Sequence, residues 1–219
     1  KLIKMVWTEK QPFGWQGRYF QFRTISIWPR PVQDPHPPLF MSGSSMESGK
    51  FAANNKVGVG FAVTTLEAAS KAATYYREEA SKAGWEPTKD NVIYRMPFYL
   101  ADTDDEAVED LKAAGAAKFK GIGILNPDMM RVLRQTKYFS DNENRHREAQ
   151  QAATELNDRV KLGQLLIGSP KTVIKQIEKI REDLGPGILD LTNAGEMGDK
   201  TIKSMELMAT KVQPHIKDW

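Results

Sequence analysis

The sequence predicts an α/β protein built from parallel β/α units. Two observations carry this. Short apolar segments alternate with amphipathic helical stretches, and the segment Val57-Gly58-Val59-Gly60-Phe61-Ala62-Val63 is β-branched and apolar on both faces, as a strand in a covered parallel sheet is. Helix starts and stops fall where such units need them.

The first strand is Leu39-Phe40-Met41, which leaves a Pro-rich run from Trp28 to Pro38. A Gly/Ser turn, Ser42-Gly43-Ser44-Ser45, leads into a helix over Ser48 to Asn54, with Phe51, Ala52 and Ala53 expected to face inward. The second strand, Val57 to Val63, precedes a capping box of Thr64 and Glu67. The helix it opens carries Leu66, Ala69, Ala73, Tyr76, Ala80 and Ala83 at three- and four-residue spacing and stops at Gly84. The third strand is Val92 to Leu100, and Thr103 with Glu106 starts the next helix. From about 114 to 163 the rhythm breaks, and this stretch reads as a helical insertion within a single domain spanning 1–219.

The rhythm resumes at Leu165-Leu166-Ile167-Gly168. Ser169 suits an N-cap and Pro170 the first helical position. Val173, Ile177, Ile180 and Leu184 form the buried stripe, and Gly185 ends the helix. Gly187 to Thr192 is the fourth strand. A last helix runs from about Lys200 to Val212, with Ile202, Met205, Leu207, Met208 and Val212 on its apolar side.

Composition narrows the function. The 219 residues, 40% hydrophobic and 27% charged, suit a soluble globular protein with one sizeable core. No apolar run approaches a membrane span, and Lys1 to Trp7 lacks the long apolar stretch of a signal peptide. The 31 basic and 28 acidic residues are interspersed, which gives no footprint for nucleic acid. Cysteine is absent, so disulfides, thiolate nucleophiles and Cys metal sites are excluded; this fits a cytoplasmic protein. His36, His146 and His215 have no metal-ligand spacing, and His36, between prolines, reads as a turn residue.

Three places could carry chemistry. Ser42 to Ser45 brings small side chains, hydroxyls and free backbone N–H groups to a helix N-terminus at the end of a strand, an arrangement suited to a phosphate; the same turn could simply cap its helix. Arg95 stands in an otherwise apolar strand, where a charge needs a partner, and reads either as a pocket residue or as half of a structural salt bridge. Asp190 has the same two readings, with the structural one favoured. Tyr94, Phe98 and Tyr99 read as core or pocket wall, Met205 and Met208 as packing, and Trp7, Trp15 and Trp28 either as shaping a pocket entrance or, the favoured reading, as pinning the Pro-rich connection.

Several stretches together resemble the bacterial luciferase-like, flavin-dependent monooxygenases. They are Trp7, Pro12-Phe13, Gly17-Arg18-Tyr19-Phe20-Gln21-Phe22, Pro29-Arg30-Pro31-Val32-Gln33, Pro35-His36-Pro37-Pro38 and the Ser42–Ser45 turn. Then come Ala101 to Ala107, Leu166 to Pro170, Thr201 with Ser204 to Leu207, and Pro214-His215. The resemblance implies a (β/α)8 TIM barrel, of which this chain holds the C-terminal half, strands five to eight. On that reading the chain is a fragment, pairs with a separate N-terminal half, or closes a barrel as a homo-oligomer.

The resemblance further implies reduced FMN as cofactor, or a deazaflavin in some relatives, with dioxygen and a small organic substrate. A flavin reductase would supply the reduced cofactor, and a flavin-binding module without catalysis is the non-enzymatic alternative. Ser44 and Ser45 would meet the FMN phosphate, with Ser42 and Gly43 shaping the turn. Arg95 is the one catalytic candidate, because an Arg of this strand lines the active site in the alkanesulfonate-oxygenase branch. That branch has a His two residues later, where this chain has Pro97, so the His role does not carry over. The insertion at 114–163 would be a lid. No metal is implied.

Overall fold

The computed structural model describes residues 1–62, 64–114, 131, 135, 156–195 and 197–217. The chain divides into two compact units, Lys1–Leu39 and Phe40–Trp219.

The first unit holds a helix, α1 (Leu2–Thr8), and an antiparallel hairpin of β1 (Phe13–Gln16) and β2 (Gln21–Ile25). Gly14 and Gly17 mask the alternation of these short strands, so the sequence pattern does not predict them. Trp15 pairs with Phe22 and Gln16 with Gln21, and the Gly17 N–H closes the turn on the Phe20 carbonyl at 2.9 Å. A Cβ at Gly17 would lie 2.5 Å from the Trp15 indole nitrogen and 3.1 Å from the Phe20 carbonyl, so a side chain there would displace the indole. Trp28 does not pin the connection as expected: it is 78% exposed, with the Arg30 guanidinium over its ring. His36 lies in the Pro-rich loop and its Nδ1 is 2.7 Å from the Pro37 carbonyl.

The second unit contains β3 (Phe40–Ser42), α2 (Met46–Asn54), β4 (Gly58–Ala62), α3 (Leu66–Lys82), β5 (Val92–Leu100) and α4 (Asp104–Ala113). Next in the chain are α5 (Leu156–Lys161), β6 (Leu166–Gly168), α6 (Pro170–Asp183), β7 (Ile188–Asn193) and α7 (Asp199–Leu207). A π-helical stretch, Met208–Val212, leads into a short α8 (Gln213–Ile216). All strand pairs in this unit are parallel, as the alternating pattern requires. β5 is the hub. One edge pairs with β7 over Ile93 to Phe98; the other pairs with β4 up to Arg95 and with β6 from Phe98 to Leu100. The Leu166–Gly168 segment, which the sequence places only as the resumption of the rhythm, is thus a fifth strand that takes over the edge where β4 ends.

The core lies on the helical side of the sheet. Val59, Phe61, Tyr94 and Met96 are at most 2% exposed and meet a layer containing Ala52, Ala53, Ala73, Tyr76, Val173 and Ile177. A second cluster, Tyr99, Ala107, Leu111, Leu156 and Ile167, forms where α4 and α5 cover the far end of β5. Of the insertion placed at 114–163, residues 115–155 lie outside the described residues apart from Arg131 and Gln135; its end forms α5.

Several predicted details shift. Phe51 is 59% exposed, because α2 buries the small face Gly49, Ala52 and Ala53 instead. That face lets it approach α3 so closely that a Cβ at Gly49 would sit 3.5 Å from the Tyr75 ring. The cap of α3 is Thr65, whose hydroxyl accepts from the Ala68 N–H at 3.2 Å, not Thr64. Glu67 is therefore one position too early to close a capping box and pairs with Lys71. Ala83 is exposed past the end of α3. In the last helix Ile202 and Met205 are 56% and 51% exposed, while Ser204 and Val212 are buried. The reason is a hydrogen bond: the buried Leu100 N–H has the Ser204 hydroxyl as its acceptor at 2.8 Å.

The N-termini of α4 and α6 are locked together by one carboxylate. Asp104 accepts from the Ser169 N–H at 2.6 Å through Oδ1 and from the Thr172 hydroxyl at 2.8 Å through Oδ2. Gly168, at φ +134°, has to be glycine, since a Cβ would stand 2.6 Å from that same Oδ1. The Ser169 N–H holds the Asp104 carboxyl below its ordinary value of 3.8, with burial opposing and the Thr172 hydroxyl assisting. A depressed carboxylate pKa contributes stability above the unfolded-state value, and this is lost as pH falls through the lower folded-state value. Asp104→Asn should therefore unfold at lower urea than the parent near pH 7, and the gap should narrow near pH 3. An equal gap at both pH values would contradict this linkage.

Candidate functional site

One face of the sheet is covered by helices and the other is open among the described residues. Cross-strand pairing places Ser42, Gly60, Ile93 and Ile188 in one row of the open face. Ala62, Arg95 and Asp190 form the next row toward the C-terminal ends of the strands, followed by Pro97 and Thr192. β4 adds only Gly58, Gly60 and Ala62 to this face, so no large side chain from it stands between Ser42 and Arg95. The expectation that β4 is covered on both faces is met on the helical side only: Val59 and Phe61 are buried, and Ala62 is exposed.

Arg95 and Asp190, singled out separately from sequence, are partners. They are register neighbours, and Arg95 Nε lies 3.4 Å from Asp190 Oδ2. With side chains 56% and 46% exposed, the pair is not the buried charge that its apolar strand suggests. At this exposure it adds little to stability, so holding the guanidinium in place over the open face is its main consequence.

The Ser42–Ser45 turn lies at the C-terminal end of β3 and its four residues have different jobs. Ser42 ends the strand and is exposed. Gly43 is buried, and its N–H reaches the Gly60 carbonyl at 3.1 Å. A Cβ there would be 2.7 Å from Val59 Cβ, so Gly43 lets the turn lie on the core rather than opening room for a ligand. Ser45 is 3% exposed and is the N-cap of α2: its hydroxyl accepts from the Ser48 N–H at 3.0 Å, and the Ser45 N–H donates to Ser48 Oγ at 3.1 Å. Among the described residues, the exposed Ser44 hydroxyl and the N–H groups of Ser44, Met46 and Glu47 are left without an acceptor. These donors converge on the positive end of a nine-residue helix, which fits a phosphate, while the Glu47 carboxylate in the same turn opposes an anion.

The Ser48 contribution was not read from sequence, although Ser45 and Ser48 have capping-box spacing. Tyr94 and Phe98 are core residues on the covered side, whereas Tyr99, on the alternate parity of β5, is buried in the cluster formed with α4 and α5. Among the described residues no group of three or more His, Asp or Glu side chains could hold a metal ion. No helix is long and apolar enough to cross a membrane, again among the described residues.

Parallel strands with helices on one face define a β/α architecture, and the open donors lie at a strand's C-terminal end, where such folds place ligands. Residues 1–186 match the luciferase-like monooxygenase family, and the chain belongs to that family. It is 27% identical over 143 residues to an FMNH2-dependent dimethylsulfone monooxygenase of Pseudomonas putida, an alignment covering 56% of this chain and 38% of that protein. It is 30% identical over 124 residues to a dimethyl-sulfide monooxygenase of Hyphomicrobium sulfonivorans, covering 56% of this chain and 24% of that one. The matched segments thus span less than two-fifths of these curated relatives. The fold is shared with the monooxygenase RslO1 of Streptomyces bottropensis, at a TM-score of 0.69 and 23% identity, over 97% of this chain and 58% of that one.

Proposed function

We propose that this chain is the C-terminal half of a (β/α)8 barrel that works as a reduced-FMN-dependent monooxygenase on a small organic substrate. The observation that carries the reading is the set of open donors at the α2 N-terminus, in a chain of the luciferase-like monooxygenase family. Ser44 and the N–H groups of Met46 and Glu47 hold the phosphate. Ser45, by capping α2, keeps those donors aimed, and Gly43 seats the turn on Val59. Arg95, steadied by Asp190, faces the reacting groups across the bare strip of β4. Bound reduced flavin supplies the oxygen-activating chemistry, so the chain's own residues bind, orient and exclude water. Dioxygen is the co-substrate and a flavin reductase the source of reduced cofactor.

The half-barrel reading rests on what is left open. Among the described residues β3 and β7 each pair on one edge only, and such edges call for a partner. The helices after these strands expose large apolar side chains: Met46 and Phe51 on α2, at 64% and 59%, and Ile202 and Met205 on α7. A separate N-terminal half or a second copy of this chain completes the barrel.

The test is a comparison of FMN with riboflavin, which lacks the phosphate, by fluorescence quenching of the 219-residue chain. The expected result is micromolar FMN binding, at least about tenfold tighter than riboflavin, as charge-assisted hydrogen bonds to a dianion require. Equal affinity for the two would remove the phosphate assignment, and no binding of FMN would remove the function. A parallel titration with a deazaflavin cofactor separates the two flavin classes.

A further inference from the structure

A cleft of about 610 Å³ opens in the helical layer between α6 and the α7–α8 segment, and none of its lining belongs to the sheet. That volume lies in the range of small-molecule sites. Lys171 and Lys175 line it from α6, one turn apart, and Lys211 and His215 face them from the other wall. Among the described residues none of these three lysines forms an ion pair. Two carboxylates also reach the cleft. Asp102 is already neutralised by Lys203 at 2.5 Å, which leaves Glu178 against three ammonium groups. The floor is apolar, made by half-buried Ile174 and Leu207.

The backbone of the second wall is unusual. Lys211 sits in the π-helical stretch Met208–Val212, and π turns are rare and concentrate at functional sites. The extra residue of a π turn rotates the downstream helix by about 100° relative to a regular one. The result here is that Val212 is fully buried while Lys211 and His215 line the cleft.

We propose that this cleft binds a small organic anion with an apolar body, of the medium-chain carboxylate class. Its headgroup meets Lys175 and Lys211, and its chain lies on Ile174 and Leu207. The site is independent of the flavin reading, because it shares no residue with the strand-end turn or the open sheet face.

The probe is octanoate, titrated into the 219-residue chain by calorimetry, with 1-octanol and inorganic phosphate as the apolar and anionic parts alone. Octanoate should saturate a single site and bind at least tenfold more tightly than either part. Lys175→Glu with Lys211→Glu should weaken it at least tenfold, and the milder Lys175→Gln with Lys211→Gln should act in the same direction. Lys112→Glu, the same charge reversal at a single position on α4 outside the cleft, should leave it unchanged. Octanol or phosphate binding as tightly as octanoate would overturn the proposal, as would unchanged octanoate affinity in the paired lysine variants.

Discussion

Ser44→Asp should weaken FMN binding by about a hundredfold or more while leaving the fold intact. The new carboxylate would stand beside the open N–H groups of Met46 and Glu47, the donors proposed to hold the phosphate. Two unit charges about 4 Å apart at an effective dielectric near 20 repel by about 4 kcal/mol, and about 2.7 kcal/mol already makes a hundredfold. The same substitution is neutral or slightly favourable for the protein alone, because a negative charge near a helix N-terminus contributes about 0.3–1 kcal/mol. Binding and stability therefore move apart. Ser45→Ala gives the contrasting pattern: it removes the cap that the Ser48 N–H uses and lowers stability by about 1 kcal/mol. Flavin titration together with thermal unfolding of both variants checks this. Retained FMN affinity in Ser44→Asp would place the phosphate elsewhere.

The largest expected stability effect belongs to Tyr94. Its ring is 1% exposed in the core of β5, and its hydroxyl donates to the Gly163 carbonyl at 2.9 Å, with the Thr64 carbonyl at 3.3 Å. Burial raises its phenol pKa above the ordinary value, which favours the protonated, donating form. Tyr94→Ala should cost about 3–5 kcal/mol, the range for emptying a large aromatic site. Tyr94→Phe should cost about 1 kcal/mol, that of a single hydrogen bond. The effect should also be local. Gly163, at φ +70°, lies against Leu66, and the Leu66 N–H donates to the Leu162 carbonyl at 2.8 Å. The segment leaving α5 is thus pinned to the start of α3 partly by this one hydroxyl. Urea denaturation gives the magnitudes, and amide exchange at Leu66 should quicken in the Phe variant. Unchanged exchange there would mean that the backbone bond alone holds the segment.

What could be read from the sequence was what local pattern encodes. The four principal strands, the Thr103 N-cap of α4 and the Val173, Ile177, Ile180 and Leu184 stripe arise from periodicity and capping chemistry. So does the place of the Gly/Ser turn at a strand end. Its division of labour does not. Ser44 and Ser45 are chemically alike in sequence, and only the backbone φ of Ser45 and its burial make one a cap and leave the other open.

Other features were decided by contacts between distant residues. Arg95 and Asp190 are 95 positions apart, and only the parallel register of β5 and β7 makes them a pair. Ser204 rather than Ile202 faces inward because a buried N–H on Leu100 needs an acceptor. A hydrophobicity pattern cannot show that need. Phe51 is exposed because helix α2 packs by its smallest side chains, and the closeness of α3 sets that choice.

The sequence by itself determined the alternation of parallel strands and helices and the position of the Gly/Ser turn at a strand end, since both arise from residues near one another in the chain. The tertiary structure alone decided, among the described residues, which turn hydroxyl is free, what Arg95 pairs with, and which sheet face stays open. Each of these depends on strand register and helix docking, which sum many weak contacts between segments far apart in sequence.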